Sequence, residues 1–292
     1  MTLNQNSNRE IIRFSAHQID SPDRFDFSPE EYSIFKYGSA NIARKFGYEL
    51  ADSFIKNCFS HRYDGQPVAI LSSAYSHIPT ASFYMKNFFA DKLNGFLFRN
   101  NFPVAEEIKI HRTVTYREDY GEMSADERYS LIKGDKFYVD KNRVGNKLLI
   151  FLDDIRITGT HERIIVKMLD DYGIFNPCFM LFFAELADSR IHPKIENTLN
   201  NAFVKKPSDL ECIIRSGQFS FNTRTVKFIL NSSHDEFDSF VAKRDSSFIS
   251  ALYYNAIGNE YYRFPSYSRN LMRLMELCDM PADNAEAPPG FL

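Results

Sequence analysis

The sequence predicts an α/β fold, in which a parallel sheet is flanked by helices and followed by a mainly helical C-terminal cap. Short apolar runs alternate with segments of helical periodicity in the first two thirds of the chain, as in parallel sheets with helices on both faces. Later segments show helical periodicity without strand alternation. We divide the chain into an irregular N-terminal arm (1–29), an α/β core (30–190), a helical extension or cap (191–280) and a mobile tail (281–292).

The composition is that of a folded globular protein. Its 292 residues are 44% hydrophobic and 25% charged, which allows one large domain or two small ones. A net charge of -3 does not favour binding to nucleic acids or membrane surfaces. No apolar run approaches the roughly 20 residues of a membrane span, and the N-terminus has no signal-peptide pattern. The four cysteines lack zinc-site spacing, which favours reduced thiols and a cytoplasmic protein.

The first half of the core reads as helix, strand and helix. Residues 30–59 carry apolar side chains at helical spacing, and Gly38 and Gly47 allow two helices rather than one. We expect no chemistry in this segment and interpret it as a cover for the sheet. The run Val68–Leu71 predicts a central strand, and Pro79 suits the first turn of the next helix.

The second half of the core contains a long polar section. Residues 107–114 predict a strand, and residues 115–136 then lack clear periodicity. A section of this length indicates a functional lid or a disordered excursion. Residues 136–140 are interpreted as a hairpin arm that returns to the sheet. The apolar runs 147–152 and 178–183 predict two further strands, with an amphipathic helix between them.

The stretch from Leu148 to His161 carries the main functional signal. An apolar run ends in Asp153 and Asp154, and the turn 158–160, Thr-Gly-Thr, precedes a helix. Carboxylates at a strand end can face a diol or a metal ion, and hydroxyls with glycine at a helix start can bind an anion. Simple helix capping is the alternative. Acids and loop together at this spacing favour a ligand site.

Other nucleotide-binding motifs do not fit the sequence. A P-loop needs GxxxxGK[ST], and no glycine of the chain is followed by lysine. A dinucleotide-binding fold needs GxGxxG after its first strand, which is also absent. A receiver-type domain has its acids near the chain start, whereas this acid pair lies in the middle of the chain.

The segment LIFLDDIRITGTH resembles the phosphoribosyl diphosphate (PRPP) signature of type I phosphoribosyltransferases. That signature has an apolar strand, two acids, two mostly apolar residues and a Thr/Ser-Gly-Thr/Ser loop. The segment departs from it at Arg156, usually apolar, and at Ile157 and His161, usually small. The resemblance covers residues 30–185 and implies a type I phosphoribosyltransferase-like sheet. The extension is similar to that of divergent bacterial members found with stress-response systems.

The resemblance implies an enzyme of nucleotide metabolism, a Mg²⁺-dependent transferase that uses PRPP and a nitrogenous base and releases pyrophosphate. The catalytic residues would be Asp153 and Asp154, which would accept hydrogen bonds from the ribose hydroxyls and offset charge at the anomeric carbon. Mg²⁺ would lie near them, held mainly by ligand and water. The 5′-phosphate would bind to Ile157, Thr158, Gly159, Thr160 and His161. The pyrophosphate would contact Ser72, Ser73, Ala74, Tyr75, Ser76, Lys109, Arg112 and Arg117.

Other interpretations stay open from the sequence. Residues 72–77 also fit a strand-to-helix turn capped by serines, and Lys109 and Arg112 also fit a solvated strand edge. The aromatic string 259–267 could stack on a nucleobase or pack within the cap. The three departures from the signature motivate a second hypothesis, a non-catalytic regulatory protein that binds PRPP or a nucleotide. The resemblance also implies a homodimer, because dimers are common in that family.

Overall fold

The computed structural model describes residues 9–112, 137–188 and 190–278. Its strands are β1 (Ile11–Ile19), β2 (Val68–Ser72), β3 (Glu106–Glu107), β4 (His111–Arg112), β5 (Phe137–Tyr138), β6 (Leu148–Arg156) and β7 (Cys178–Leu186). The central sheet has the order β1-β7-β6-β2-β3, and all its neighbouring strands are parallel. Strands β4 and β5 form a separate antiparallel pair.

Helices cover both faces of the sheet and make up the C-terminal region. They are α1 (Pro29–Lys36), α2 (Ala40–Asn57), α3 (Ala81–Arg99), α4 (Lys141–Val144), α5 (Thr160–Asp171), α6 (Ile195–Asn200), α7 (Glu211–Arg215), α8 (Thr223–Leu230), α9 (His234–Val241), α10 (Ser246–Gly258) and α11 (Ser268–Leu277). Short 3₁₀ turns lie at Phe59–His61, Pro207–Leu210, Tyr261–Arg263 and Pro265–Tyr267. The predicted α/β class with a helical C-terminal region is confirmed. None of the helices in the described ranges is long and apolar enough to cross a membrane.

The predicted irregular arm is wrong for residues 11–19, which form the edge strand β1. This strand pairs with β7 along its length, from Ile11 opposite Cys178 to Ile19 opposite Leu186. The local sequence mixes charged, polar and apolar residues, so pairing with a partner far along the chain decides the conformation. The sheet therefore begins at residue 11 rather than at residue 30.

The segments around the predicted third strand also differ from expectation. The single strand predicted for residues 107–114 is wrong within its described part, 107–112, because β3 pairs with β2 whereas β4 pairs with β5; residues 113–114 lie outside the described residues. Phe137–Tyr138 forms a strand that pairs antiparallel with His111–Arg112, but this pair is separate from the central sheet, so the predicted return of the hairpin arm to that sheet is wrong. The polar section 115–136, which includes Arg117, and the tail 281–292 lie outside the described residues.

Alternating side chains of the strands form a core on each face of the sheet. On β6, Ile150 and Leu152 belong to the core under α2 and α3, whereas Leu149 and Phe151 belong to the core under α5. The two helices predicted for residues 30–59 are present, and they meet at Gly38, whose φ is +99°.

The helical extension has its own apolar core and is docked on the sheet domain. Its buried residues include Val226, Phe237 and Leu252. Hydrogen bonds fix the contact: Asn222 Nδ2 donates to the carbonyl oxygen of Lys36 at 3.0 Å. The carboxamide oxygen of Asn259 accepts from two backbone N–H groups in the loop after β2, at residues 77 and 78, each at 3.1 Å. The extension therefore holds both the end of α1 and this loop.

Candidate functional site

A cavity of about 520 Å³ lies at the carboxyl ends of β2 and β6, where open parallel sheets bind ligands. One wall is formed by the end of β2, the end of β6 and the loop that leads into α5. The opposite wall belongs to the extension and includes residues of α8. The cavity is thus enclosed between the sheet and the C-terminal helices.

The acid pair lies inside β6, not after its end as the sequence suggested. Strand β2 stops at Ser72, opposite Leu152, but β7 continues beside β6 as far as the pair Arg156 and Glu185. Asp153 and Asp154 therefore lie where β6 has lost one neighbour and kept the other. Because successive strand residues point to opposite faces, the two carboxylates have different surroundings.

Asp153 is held by three donors. Its Oδ1 accepts from Ser73 Oγ at 2.6 Å and from the backbone N–H of Asp154 at 3.0 Å. Its Oδ2 lies 3.0 Å from His161 Nδ1. Burial disfavours the charged carboxylate, but the bonds from His161 and Ser73 outweigh it and lower the pKa of Asp153 below its ordinary value. Asp153 is therefore ionised at neutral pH.

Asp154 contacts α1, which lies in the segment where we expected only a cover for the sheet. Its Oδ2 accepts from Tyr32 Oη at 2.8 Å and from Lys36 Nζ. Burial raises the pKa of Asp154, with a further increase from the charge of Asp153, against the opposing effect of Lys36. The two carboxylates thus differ in pKa, a pattern that often separates the roles of paired acids. Local sequence could not show this, because Lys36 and Asp154 are 118 positions apart.

The loop before α5 has the geometry of an anion site. Gly159 has a φ of +67°, and a Cβ there would lie 3.0 Å from a nitrogen of Arg156. The hydroxyl oxygens of Thr158 and Thr160 are 2.8 Å apart, and Arg163 donates to the Thr158 carbonyl and the Thr160 hydroxyl, each at 2.9 Å. The first N–H groups of a helix lack intrahelical acceptors and favour anions. All five residues predicted to bind phosphate, 157–161, line the cavity.

Arg156, one of the three departures from the signature, forms ion pairs beneath this loop. Its Nε donates to Glu162 at 2.8 Å and its Nη1 to Glu185 at 2.7 Å. Glu162, whose side chain is 5% exposed, also pairs with Arg13. These hydrogen bonds and charges outweigh burial and lower the pKa of Glu162. The arginine therefore fixes the loop to the sheet edge.

The structure brings only part of the predicted pyrophosphate set to the cavity. Ser72, Ser73, Ala74 and Arg112 line it, whereas Tyr75, Ser76 and Lys109 are not among its lining residues. Lys109 instead donates to the Ser76 carbonyl at 3.0 Å and lies 4.1 Å from the centre of the Tyr75 ring. Arg117 lies outside the described part of the chain.

Sequence reasoning missed several residues that line the cavity. Three of them, Arg224, Lys227 and Phe228, lie on α8. Their spacing predicts that they share one helix face, but the sequence does not indicate which surface that face contacts. Of the aromatic string 259–267, only Tyr267 lines the cavity, and it is 2% exposed. The string packs mainly within the core of the extension.

Comparisons with known proteins found similar solved structures and one matching family model. Solved structures similar to the chain include a hypoxanthine phosphoribosyltransferase from Staphylococcus aureus in two crystal forms. The tetragonal form is 12% identical, with 52% of this chain and 76% of that chain covered and a TM-score of 0.32. The orthorhombic form is 12% identical, with 57% and 79% covered and a TM-score of 0.29. No curated protein matches the chain.

A family model described as PRTase ComF-like, where PRTase stands for phosphoribosyltransferase, matches residues 11–274. This range includes β1, the sheet, the acid pair with its loop, and the helices of the extension as far as α11. The family predicted from the PRPP signature is thereby confirmed. The chain belongs to the ComF-like phosphoribosyltransferase family.

Proposed function

We propose that the protein transfers the ribose 5-phosphate group of PRPP to a nitrogenous base or base-like acceptor and releases pyrophosphate. Family membership supports phosphoribosyl transfer in general terms. The observation that carries the proposal is that one cavity brings together the acid pair, the anion-binding loop 157–161 and the serines that follow β2.

Each part of PRPP meets a suitable surface in this proposal. The 5′-phosphate binds to the N–H groups and hydroxyls of 158–160. The ribose hydroxyls donate to Asp153 and Asp154, whose charge offsets the positive charge that develops at the anomeric carbon. Ser73 and Arg112 lie on the side proposed for pyrophosphate.

Mg²⁺ is part of the proposal, although no protein ligand is assigned to it. Among the described residues, no three or more His, Cys, Asp or Glu side chains are grouped as a metal site. Both oxygens of Asp153 and Oδ2 of Asp154 already accept hydrogen bonds. This arrangement fits an ion held by pyrophosphate, ribose oxygens and water beside the acids. When bound, the ion would offset charge on the departing pyrophosphate.

The acceptor is proposed to bind against the wall that the extension supplies. Arg224 and Lys227 place cationic groups there, and Phe228 supplies an apolar ring. Aromatic and cationic side chains together suit a flat heterocycle with polar substituents. The extension would thus give the core the surface that selects the acceptor.

The test is pyrophosphate release from PRPP with Mg²⁺ and a panel of bases. Asp153→Asn and Asp154→Asn should each lower kcat/KM by about 100-fold or more, because each removes charge that the transition state needs. Asp52→Asn is the control, because Asp52 is an exposed acid that pairs with Lys92 and does not line this cavity. Full activity in both acid variants would refute the residue assignment.

A second candidate, a non-catalytic protein that binds PRPP or a nucleotide, is favoured by one observation. The acid pair is already bonded to protein groups, with Asp153 held by Ser73 and His161 and Asp154 held by Tyr32 and Lys36. Calorimetry that finds tight PRPP binding and no turnover with any base would support this candidate. No binding of any ribose phosphate would reject both. The homodimer stays a prediction.

A further inference from the structure

Helix α1 places two donors on a single oxygen of Asp154. Tyr32 and Lys36 are four positions apart, so they lie on the same face of the helix. The Tyr32 hydroxyl donates to Asp154 Oδ2 at 2.8 Å, and the Lys36 ammonium donates to the same atom. Lys36 also lines the cavity, together with Asp154. One face of α1 therefore belongs to the site, although α1 lies far from the PRPP signature in the sequence.

The two donors differ in charge. Tyr32 is fully buried, and burial raises its pKa well above the ordinary value, so the hydroxyl keeps its proton and stays neutral. Lys36 donates from an ammonium group, which has three donors and a positive charge. Its Nζ lies 5.7 Å from the centre of the Tyr32 ring, within the range of a cation–π contact. Tyr32 therefore orients the carboxylate, whereas Lys36 orients it and also offsets its charge.

Lys36 is held in place from the side of the extension. Asn222, which precedes α8, is buried, and its Nδ2 donates to the carbonyl oxygen of Lys36 at 3.0 Å. Lys36 is the last residue of α1, and the C-terminal end of a helix favours a cation. Its side chain is 12% exposed, so salt and water screen the ammonium only weakly. The cation is thus fixed beside the carboxylate that it contacts.

Asp154 lies where a carboxylate is costly to charge. Its side chain is 9% exposed, and Asp153 precedes it on β6. Burial raises the pKa of Asp154, Lys36 lowers it, and the charge of Asp153 raises it further. Without the ammonium, the carboxyl would take up a proton at a higher pH. Around the acid pair and Tyr32, the charged groups include Lys36 on α1, His161 on α5, Glu196 on α6 and Arg224 on α8.

The proposed reaction depends on the charge of this acid. The acceptor nitrogen forms a bond to the anomeric carbon while the bond from that carbon to a pyrophosphate oxygen breaks, and the electron pair of that bond leaves with pyrophosphate. Positive charge develops on the ribose during this step, and a fixed carboxylate beside it lowers the barrier. A protonated Asp154 would have no charge with which to offset it.

We propose that Lys36 is a positioning residue for phosphoribosyl transfer, because its ammonium fixes one oxygen of Asp154 and keeps this acid charged while PRPP binds. Lys36 acts through Asp154 and not on the substrate. This inference rests on the proposed function, since it assigns to Asp154 the charge that the transition state needs. It also gives the extension a second role, because Asn222 holds Lys36 in place.

The experiment compares Lys36→Met and Lys36→Arg with wild type in pyrophosphate release from pH 5.5 to pH 9. Methionine removes the charge, whereas arginine keeps it. For Lys36→Met we expect kcat/KM for PRPP to fall about 10-fold or more at pH 7, the effect of one opposite charge on a neighbouring acid. The acidic limb of kcat/KM, which reports groups of the free enzyme, should move to higher pH. The difference from wild type should narrow toward pH 9, where Asp154 ionises in the variant as well.

The arginine variant and a second lysine provide the controls. Lys36→Arg should keep the acidic limb of wild type, and a limb that moves as far as in Lys36→Met would overturn the inference. Lys45→Met should match wild type at every pH, because Lys45 is a more exposed lysine on α2 that pairs with Glu31 and does not line the cavity.

The outcomes separate this inference from the proposed function. Wild-type turnover with an unmoved acidic limb in Lys36→Met, or with a loss that is the same at every pH, overturns the role of Lys36 and leaves phosphoribosyl transfer standing. No turnover by wild type with any base overturns the proposed function and this inference with it. If Lys36→Met fails to fold, carbon NMR of the wild-type Asp154 carboxyl decides: an ionised carboxylate is expected at pH 7, and a protonated carboxyl there overturns the inference.

Discussion

Lys36→Met removes the ammonium group that donates to the buried carboxylate of Asp154. The side chain of Lys36 is 12% exposed and that of its partner Asp154 is 9% exposed. Removing one member of a buried ion pair typically costs about 3–5 kcal/mol. Tyr32 would still donate to Asp154, and the carboxyl can take up a proton because its pKa is already raised. We therefore expect the lower end, about 3 kcal/mol of unfolding free energy at pH 7.

Urea unfolding of wild type and Lys36→Met at pH 7 and pH 5 measures this effect. A carboxyl whose pKa is higher in the folded state binds protons more readily there, so acid favours folding of the variant. The unfolding free energy that Lys36→Met loses relative to wild type should therefore be smaller at pH 5 than at pH 7, because a neutral Asp154 carboxyl needs no counter-ion. The double variant with Asp154→Asn should lose less stability than the sum of the two single variants.

Two results would refute this reasoning. A loss below about 1 kcal/mol at pH 7 would be the size of a surface ion pair, not of a buried one. Strict additivity in the double variant would mean that Lys36 and Asp154 do not interact. Glu31→Gln is a matched control, since it removes a more exposed ion pair with Lys45, and it should change stability by less than about 1 kcal/mol.

Three further predictions concern the anion loop and the docking of the extension. Gly159→Ala, at a φ of +67°, should cost about 1–2 kcal/mol and weaken PRPP binding in calorimetry; unchanged affinity would contradict this. Arg156→Met should cost about 1–3 kcal/mol of unfolding free energy at pH 7. The pKa of Glu162 is lowered from its ordinary 4.5, so the urea-measured loss should stay full above that value and diminish only as pH falls below it through the folded-state pKa; a loss that does not change with pH in acid would refute the link. Gly38→Ala, at a φ of +99° where a Cβ meets the Ser220 carbonyl, should cost about 2 kcal/mol or more, and an unchanged calorimetric Tm would contradict it.

The sheet and its central motif were predictable because their signals are local. The apolar runs of β2, β6 and β7 are continuous, as in strands buried on both faces, and the order of acids, Thr158 and Gly159 is contiguous in sequence. The edge strand β1 was not predictable in this way. Its residues form a strand because β7 pairs with them, and such pairing across the fold leaves no local pattern.

The sequence could not predict the partners of the acid pair either, because they also come from segments that are far apart in the chain. Tyr32 and Lys36 look like ordinary residues of an amphipathic helix, and only the packing of α1 brings them to Asp154. In the sequence, Arg156 is only a departure from the signature. The structure shows that it donates to Glu162 and Glu185. Departures from a signature thus acquire a meaning when their contacts are known.

The extension shows what helical periodicity cannot predict, namely which surface a helix face contacts. Helical spacing predicted α8 and most other helices of this region, but periodicity gives the face of a helix and not the surface that it meets. Arg224 and Lys227 line the cavity because Asn222 and Thr223 fix the start of α8 to backbone carbonyls at Lys36 and Ile78. The site therefore depends on contacts between segments that are far apart in sequence.

The central claim is that this cavity transfers a phosphoribosyl group. Mass spectrometry of the products formed from PRPP, Mg²⁺ and a panel of bases tests it most directly, with pyrophosphate measured in the same samples. The account predicts one base that gains a ribose 5-phosphate group, in equal amount to the pyrophosphate released, and loss of both products in Asp153→Asn. PRPP that stays intact with every base, or is only hydrolysed to ribose 5-phosphate, would contradict it.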